Sequence, residues 1–271
     1  MNKLKAEKQE EVIRALVEGC SVRSVERMTG THRDTILRLM VRVGSACSEM
    51  MDQSLRGLNL RHIQMDEIWC YVGKKQRRLE IDDDESKLGD FWTWVALDTD
   101  TKLVPCHLVG KRTRENAVSF VSDLASRVEG RVQLSSDALE SYVEAVETGF
   151  GREVDYGRIV KHYESTPVGP GRYSPPKVTS VRSEVVIGAP KSGACTSHVE
   201  RGNLTIRMQQ RRFTRLTNAF SKKVENLTAA VALHFAWYNF ARVHRTLRVT
   251  PAMEAGVTGR IWTIRDLVDL A

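Results

Sequence analysis

The sequence predicts a small all-α unit followed by a larger α/β domain, and three observations lead to this prediction. Over residues 1 to about 50, apolar residues recur at the spacing of amphipathic helices. A polar connector follows at about 51–61. Beyond it, short apolar runs typical of strands alternate with segments typical of helices. We therefore assign residues 1–52 and 53–248 to two domains, and 249–271 to a C-terminal tail.

The composition favours a nucleic-acid partner. The chain has 271 residues, 41% of them hydrophobic, and a formal net charge of +7, so it can bury a full core while its surface attracts an anionic partner. Residues 196–248 alone hold ten Lys and Arg against two Asp and Glu.

The five cysteines are scattered, which favours a reducing compartment over a disulfide framework or a zinc ribbon. We find no secretory signal and no membrane-length apolar run, so we expect a cytoplasmic, nucleoid-associated protein with no membrane partner.

The N-terminal unit is predicted to contain three helices. Ser21 and Thr31 are expected to cap the second and third helices, while Gly19 and Gly30 end the first and second. The residues expected to face inward are Val12, Ile13, Leu16 and Val17 in the first helix, Val22, Val25 and Met28 in the second, and Ile36, Leu37, Met40 and Val41 in the third.

A short helix, a glycine-containing turn and a further helix are typical of the helix-turn-helix motif, whose second helix enters the major groove of DNA. Arginine pairs with guanine and also binds phosphate, so the outward-facing residues of the third helix are candidate DNA contacts. They are His32, Arg33, Thr35, Arg38 and Arg42. The alternative is an ordinary three-helix packing or dimerisation module, because helix-turn-helix patterns are matched loosely.

The second domain is predicted as a series of strands and helices. We expect strands at 63–72, 91–97, 103–109, up to about 135, and 158–163, and helices at 113–128, 138–147, from 197 onward, and at about 219–240. The second and third strands form a β-hairpin. Residues 165–194, between the last predicted strand and the late helices, hold most of the prolines. We expect this segment to be an irregular insertion, either a functional loop or partly disordered.

Four acidic residues stand out, and each has a simpler explanation. Asp66 and Glu67 lie in the middle of a strand, where acids are depleted. Neighbouring strand residues point to opposite faces, so at most one of them is expected to face a given site; an edge acid in solvent is the alternative. Asp137 follows a strand and could simply cap the next helix. Glu200 stands three residues after Ser197, as in a capping box.

The order of elements distinguishes between these explanations. The order is that of an RNase H-like (integrase-like) domain: a strand with a central Asp, a hairpin, a helix, a strand ending in Asp, a helix, a strand, and a later helix bearing Glu. Asp66, Asp137 and Glu200 fall where that fold gathers its carboxylates.

A cluster of cations follows Glu200 and predicts phosphate binding. Arg207 lies seven residues after Glu200, on the same helical face. The candidate DNA-backbone contacts are Arg201, Arg207, Arg211, Arg212, Arg215, Lys222 and Lys223. A solvated basic helix face is the alternative.

The chain resembles DDE transposases of the bacterial insertion-sequence-1 family, which are related to retroviral integrases. The resemblance spans nearly the whole length and is strongest in Q-M-D-E-I-W around Asp66, S-S-D-A-L-E-S-Y around Asp137, and S-H-V-E-R-G-N-L-T-I-R-M around Glu200. It implies that these three residues are the catalytic triad and ligate two Mg²⁺ ions, with Mn²⁺ as a substitute. Two departures are visible: the zinc-binding segment with which many members begin is missing, and Ala138 replaces the usual glycine after the second Asp.

The resemblance also implies an activity and partners. A transposase binds the terminal inverted repeats of its element, cleaves double-stranded DNA as an endonuclease, and joins the ends to target DNA. Because two ends must be brought together, we expect a homodimer or a higher oligomer. Two alternatives stay open at this point: an RNase H-like nuclease or junction resolvase without strand transfer, and a DNA-binding regulator whose catalytic domain is inert.

Overall fold

The computed structural model describes residues 4–164, 177–191, 193–214 and 217–271. The helices of eight residues or more are α1 Ala6–Val17, α2 Val22–Thr29, α3 Arg33–Ser54, α4 Arg114–Arg127, α5 Ser141–Phe150, α6 Ser197–Gln209 and α7 Val224–Ala236. Two short helices follow, α8 Pro251–Glu254 and α9 Ile264–Asp269. The strands are β1 His62–Val72, β2 Gly89–Asp98, β3 His107–Gly110, β4 Val132–Asp137, β5 Val154–Glu164 and β6 Lys177–Ile187. No helix in these residues has the length and apolar character needed to cross a membrane.

Within the described residues the strands form one sheet in the order β3-β2-β1-β4-β5-β6. The pairs β3–β2, β2–β1 and β5–β6 are antiparallel, whereas β1–β4 and β4–β5 are parallel. This mixed α/β arrangement agrees with the predicted RNase H-like fold. The expected hairpin forms between β2 and β3, although β3 begins at His107 and not at residue 103. Strand β6 occupies part of the stretch where irregular structure was expected; residues 165–176 and 192 of that stretch lie outside the described residues.

Helices cover both faces of the sheet. Trp94 on β2 contacts Phe120 of α4 and Tyr142 of α5, with ring centroids 6.0 and 5.6 Å apart. Leu97, three residues further along β2, approaches Gly202 of α6. Residues an odd number apart on a strand point to opposite faces, so α4 and α5 lie on one face and α6 on the other.

Helix α7 is buried almost all round and packs against α3. A Cβ added at Gly44 of α3 would lie 2.2 Å from the carbonyl oxygen of Ala229, so only glycine permits this approach of the two helix backbones. The buried alanines of α7 explain the close contact, because small side chains let helix axes come together. At the end of this helical segment, the Asn239 side chain exchanges two hydrogen bonds with the backbone of Val104, at 3.0 and 2.9 Å. Apolar residues from the N-terminal helices and from the sheet therefore form one continuous core.

The N-terminal helices match most of the predicted pattern. Ser21 accepts a hydrogen bond from the Ser24 amide at 3.0 Å, and Gly30 ends α2 with a φ of 68°. Two details differ. His32, not Thr31, is the N-cap of α3, with its Nδ1 accepting from the Asp34 amide at 3.3 Å. Met28, which was expected to face inward, is 58% exposed. The short helix α2 spans little more than two turns and buries only Val25 and Thr29. The helix-turn-helix function and the domain boundaries stay predictions.

Candidate active site

Asp66 and Asp137 lie side by side on parallel strands. Gln64 of β1 pairs with Ser135 of β4, and each acid stands two residues further along its strand. Two residues is the repeat of side-chain direction in a strand, so both acids point to the face covered by α6. Oxygen atoms of Asp66, Asp137 and Glu67 all lie within 4.8 Å of one another. The fold thus brings together two of the three predicted catalytic acids.

Glu200 approaches this pair from the first turn of α6. It lines one cleft with Asp66, Asn203 and Arg207, of about 560 Å³. Its carboxylate accepts hydrogen bonds from Lys161 of β5 and, at 2.7 Å, from the hydroxyl of Thr196. Glu200 does not belong to the group within 4.8 Å, so here it faces the cleft while bound to a lysine.

The simpler capping explanations do not account for these acids. Helix α5 begins at Ser141 with Glu140 at the N-cap, three residues beyond Asp137. The N-cap of α6 is Thr196, whose own side chain does not cap the helix, and the expected capping box between Ser197 and Glu200 does not form. The Asp137 side chain instead accepts a hydrogen bond from the Leu139 amide at 3.0 Å, within the turn that precedes α5, so neither acid caps a helix.

Glu67 is the acid that sequence reasoning set aside. Strand alternation directs it toward α4 and α5, yet its carboxylate reaches the same cluster. Its side chain is only 2% exposed and accepts a hydrogen bond from Arg112 Nε at 3.0 Å. The Arg112 guanidinium also lies 3.8 Å from Asp137. No sequence signal pairs Glu67 with Arg112, because Arg112 lies in a loop far along the chain.

Burial and neighbouring carboxylates shift the pKa values of Asp66 and Glu67. Burial, together with the neighbouring Asp137, raises the pKa of Asp66 to about 6, against the hydrogen bond from Asn203. Burial and Asp137 likewise raise the pKa of Glu67 to about 7, although Arg112 opposes this. Burial would also raise the pKa of Glu200, but the hydrogen bonds from Lys161 and Thr196 hold it below its ordinary value. Such mutual repulsion is what a bound divalent cation relieves.

Two amide side chains fix the positions of the acids. Asn203, one turn after Glu200 on α6, donates to Asp66 Oδ2 at 2.8 Å. Gln64 on β1 accepts from the backbone amides of His198 and Val199, at 2.8 and 3.0 Å. Both were missed from the sequence, although their spacing could have pointed to them: Gln64 shares a strand face with Asp66, and Asn203 shares a helix face with Glu200.

The predicted phosphate-binding residues occupy several environments. Arg201, Arg211, Lys222 and Lys223 are exposed. Arg207 lines the cleft and donates to the carbonyl of Phe213 at 3.1 Å. Arg215 lies outside the described residues.

Arg212 is half-buried and serves a packing role in this structure. It donates to Ser221 Oγ at 3.0 Å and contacts the sulfur of Met40 on α3. Desolvation of its guanidinium lowers its pKa to about 10. A contact between Arg212 and DNA therefore requires the side chain to leave these partners.

The predicted contacts on α3 line its N-terminal half. His32, Arg33, Arg38 and Arg42 are exposed and Thr35 is half-buried. Arg42 donates to Gln9 of α1 at 2.6 Å, which ties the helix to its neighbour. These residues form a basic surface, and their binding to DNA stays a prediction.

Comparison with known proteins gives remote structural resemblances. No protein-family model matches the sequence, and no curated protein matches it. A piggyBac transposase synaptic complex with hairpin DNA is similar over 100% of this chain and 71% of that chain, at 11% identity and a TM-score of 0.42. A Mos1 transposase paired-end complex with the left transposon end is similar over 55% of this chain and 58% of that chain, at 14% identity and a TM-score of 0.21. A pre-cleavage Mos1 transpososome is similar over 57% of this chain and 60% of that chain, at 12% identity and a TM-score of 0.21. At such values the function has to be inferred from the site itself.

Proposed function

We propose that this chain is a metal-dependent DNA transposase of the insertion-sequence-1 type, which binds element ends and catalyses DNA cleavage and strand transfer. The observation that carries the proposal is the meeting of Asp66 and Asp137 on neighbouring parallel strands, with Glu200 lining the same cleft as Asp66. These residues are far apart in the sequence, and the fold alone brings them together. The motifs around them resemble those of the insertion-sequence-1 family.

The donor set fits a hard divalent cation. Carboxylate oxygens are the ligands that Mg²⁺ prefers, and Mn²⁺ accepts the same ligands. Asp66, Asp137 and Glu200 would hold the ions, after Glu200 exchanges its bond to Lys161. When bound, two such ions stabilise the charge that develops on the attacking and leaving oxygens at phosphorus. A further oxygen supports the fit, because Asn203 Oδ1 is buried beside the acids without a hydrogen-bond partner among the described residues.

The chain's own residues would position DNA and acids for this reaction. Asn203 orients Asp66 by its hydrogen bond, and Gln64 holds the start of α6 so that Glu200 faces β1. Arg207, in the cleft wall, is placed to contact a phosphate. The exposed cations beyond it would bind the DNA backbone, and this binding would weaken as salt increases.

Recognition of the element ends would belong to the exposed basic face of α3. Two ends must be held at once, so we propose that at least two copies of the chain act together. In this arrangement each copy would supply one site for one end.

The test is an assay with labelled double-stranded element ends, target DNA and Mg²⁺. Strand-joined products that disappear in Asp66→Asn and Asp137→Asn, but persist in the matched control Asp82→Asn, would support the proposal. Asp82 lies in an exposed loop. Cleavage without joining would instead indicate a nuclease or resolvase, and binding without either reaction would indicate a regulator.

A further inference from the structure

Lys161 is a cation that contacts Glu200 at the acidic cleft. It belongs to β5, two residues beyond Ile159, which pairs with Asp137. Its side chain is 25% exposed, and its ammonium forms an ion pair with Glu200 across the gap between β5 and α6. Neither the sequence motifs nor the proposed chemistry gives this lysine a role.

The position of Lys161 coincides with a concentration of negative charge. Asp66 and Glu200 line the same cleft, and each raises the pKa of Lys161, against the burial that would lower it. Lysine carries a compact charge on a flexible stem, so it can leave a carboxylate without any change of the backbone. Arginine at the same place would bind in a more fixed geometry.

We propose that Lys161 is a positioning residue that holds Glu200 while no divalent cation is bound, and that it competes with the incoming cation for this carboxylate. The inference rests on the proposed function, since it assumes that Glu200 is a metal ligand. The lysine holds the Glu200 carboxylate at the start of α6, and a divalent ion must displace the lysine from it. The ion pair therefore lowers the affinity for the metal, but it keeps Glu200 ordered before the metal binds.

This role differs measurably from that of an ordinary ion pair. A lysine that only stabilises the fold would, on removal, leave the metal affinity unchanged or weaken it through disorder. A lysine that competes with the metal would, on removal, make the metal bind more tightly, because a positive charge leaves the site.

The experiment is a calorimetric titration of Mn²⁺ into the full chain without DNA. For Lys161→Met we expect the dissociation constant to fall by about tenfold, the order that loss of one partly screened charge contributes. Lys161→Arg keeps the charge and should bind no more tightly than the wild type. Lys87→Met is the matched control, because Lys87 pairs with Asp84 at 2.6 Å in an exposed loop.

The outcomes separate the two claims. An unchanged or larger dissociation constant in Lys161→Met would overturn the role of Lys161 alone, provided that the wild type binds Mn²⁺ and Asp66→Asn does not. Absence of Mn²⁺ binding to the wild type would overturn the proposed function as well. If Lys161→Met does not fold, Lys161→Gln, which also removes the charge, takes its place under the same criteria.

Discussion

Gln64 and Val199 join the strand that carries Asp66 to the helix that carries Glu200. The side-chain oxygen of Gln64 accepts the Val199 amide at 3.0 Å and the neighbouring His198 amide at 2.8 Å. The first amides of a helix have no partner within the helix, so Gln64 satisfies two groups that would otherwise remain unpaired. One buried amide therefore sets the distance between two candidate metal ligands.

Replacing Gln64 by Leu should destabilise the protein by about 2 kcal/mol, because one buried and one partly buried backbone donor lose their acceptor. DNA cleavage should fall further than this stability loss explains, since α6 is no longer held to β1. Urea denaturation and the cleavage assay measure the two effects. Gln53→Leu, at an exposed position of α3, is the control and should change neither. Full activity in Gln64→Leu would show that α6 is positioned by other contacts.

Asp66→Asn should stabilise the metal-free protein while it abolishes the chemistry. Burial and the repulsion from Asp137 make the ionised form of Asp66 costly, and asparagine removes that charge. The rise of this pKa from 3.8 to about 6 corresponds to about 3 kcal/mol at pH 7.5, and this sets the upper limit of the gain expected in the presence of EDTA. Thermal unfolding with and without Mg²⁺ measures it: Mg²⁺ should stabilise the wild type but not the variant. A variant less stable than the wild type in EDTA would contradict this account of the cluster.

Arg112→Met should leave Glu67 buried without its ion partner and cost about 2 kcal/mol. The double variant Arg112→Met with Glu67→Met should recover most of the loss, because no unpaired charge then remains. Chemical denaturation of both single variants and the double variant completes the cycle. Additive losses in the double variant would mean that Glu67 and Arg112 do not depend on each other.

The contribution of His234 to stability should decrease as the pH falls below about 6.5, whereas Asp66 and Glu67, whose pKa values are raised, contribute in the opposite direction. His234 is 1% exposed, and burial, with Arg242 and His107 nearby, lowers its pKa to about 3. In the unfolded chain a histidine titrates near 6.5, so between about pH 6.5 and 3 the unfolded state binds the extra proton. The stabilisation is present above this window and is lost as the pH falls through it.

Between pH 7.5 and 5.5 the loss due to His234 should be about 1 kcal/mol. Denaturation midpoints of the wild type and of His234→Leu at the two pH values measure it, and the variant should show the weaker dependence. His162→Leu, on the exposed part of β5, is the control and should keep the wild-type dependence. If the free energy of unfolding changes equally with pH in the wild type and in His234→Leu, His234 is not responsible for the pH dependence.

Local patterns predicted much of the fold. The apolar stripe of α1 and the glycine stop after α2 depend on neighbours within one or two turns, and both are found as expected. The π-helical turn after α7 and the strand β6 were not predicted, since both depend on tertiary packing. The junction before α5 shows the same limit: Asp137 looks like a cap in the sequence, but the helix begins beyond it.

The acids of the site could be predicted, but their partners could not. Asp66, Asp137 and Glu200 were predicted from the order of elements, and the structure places the first two together with Glu200 outside their 4.8 Å group. Strand alternation excluded Glu67, because its side chain starts on the opposite face of the sheet from Asp66. The glutamate side chain is nevertheless long enough for its carboxylate to reach the cluster. Lys161 reaches Glu200 from a different element, and only the assembled fold brings the two together.

The most direct test is a crystal structure of the protein soaked with Mn²⁺, using the anomalous signal of the metal. The account predicts density within coordination distance of both Asp66 and Asp137, with Glu200 released from Lys161 and turned toward a second ion. Density that involves neither Asp66 nor Asp137, or its absence at saturating Mn²⁺, would contradict the central claim.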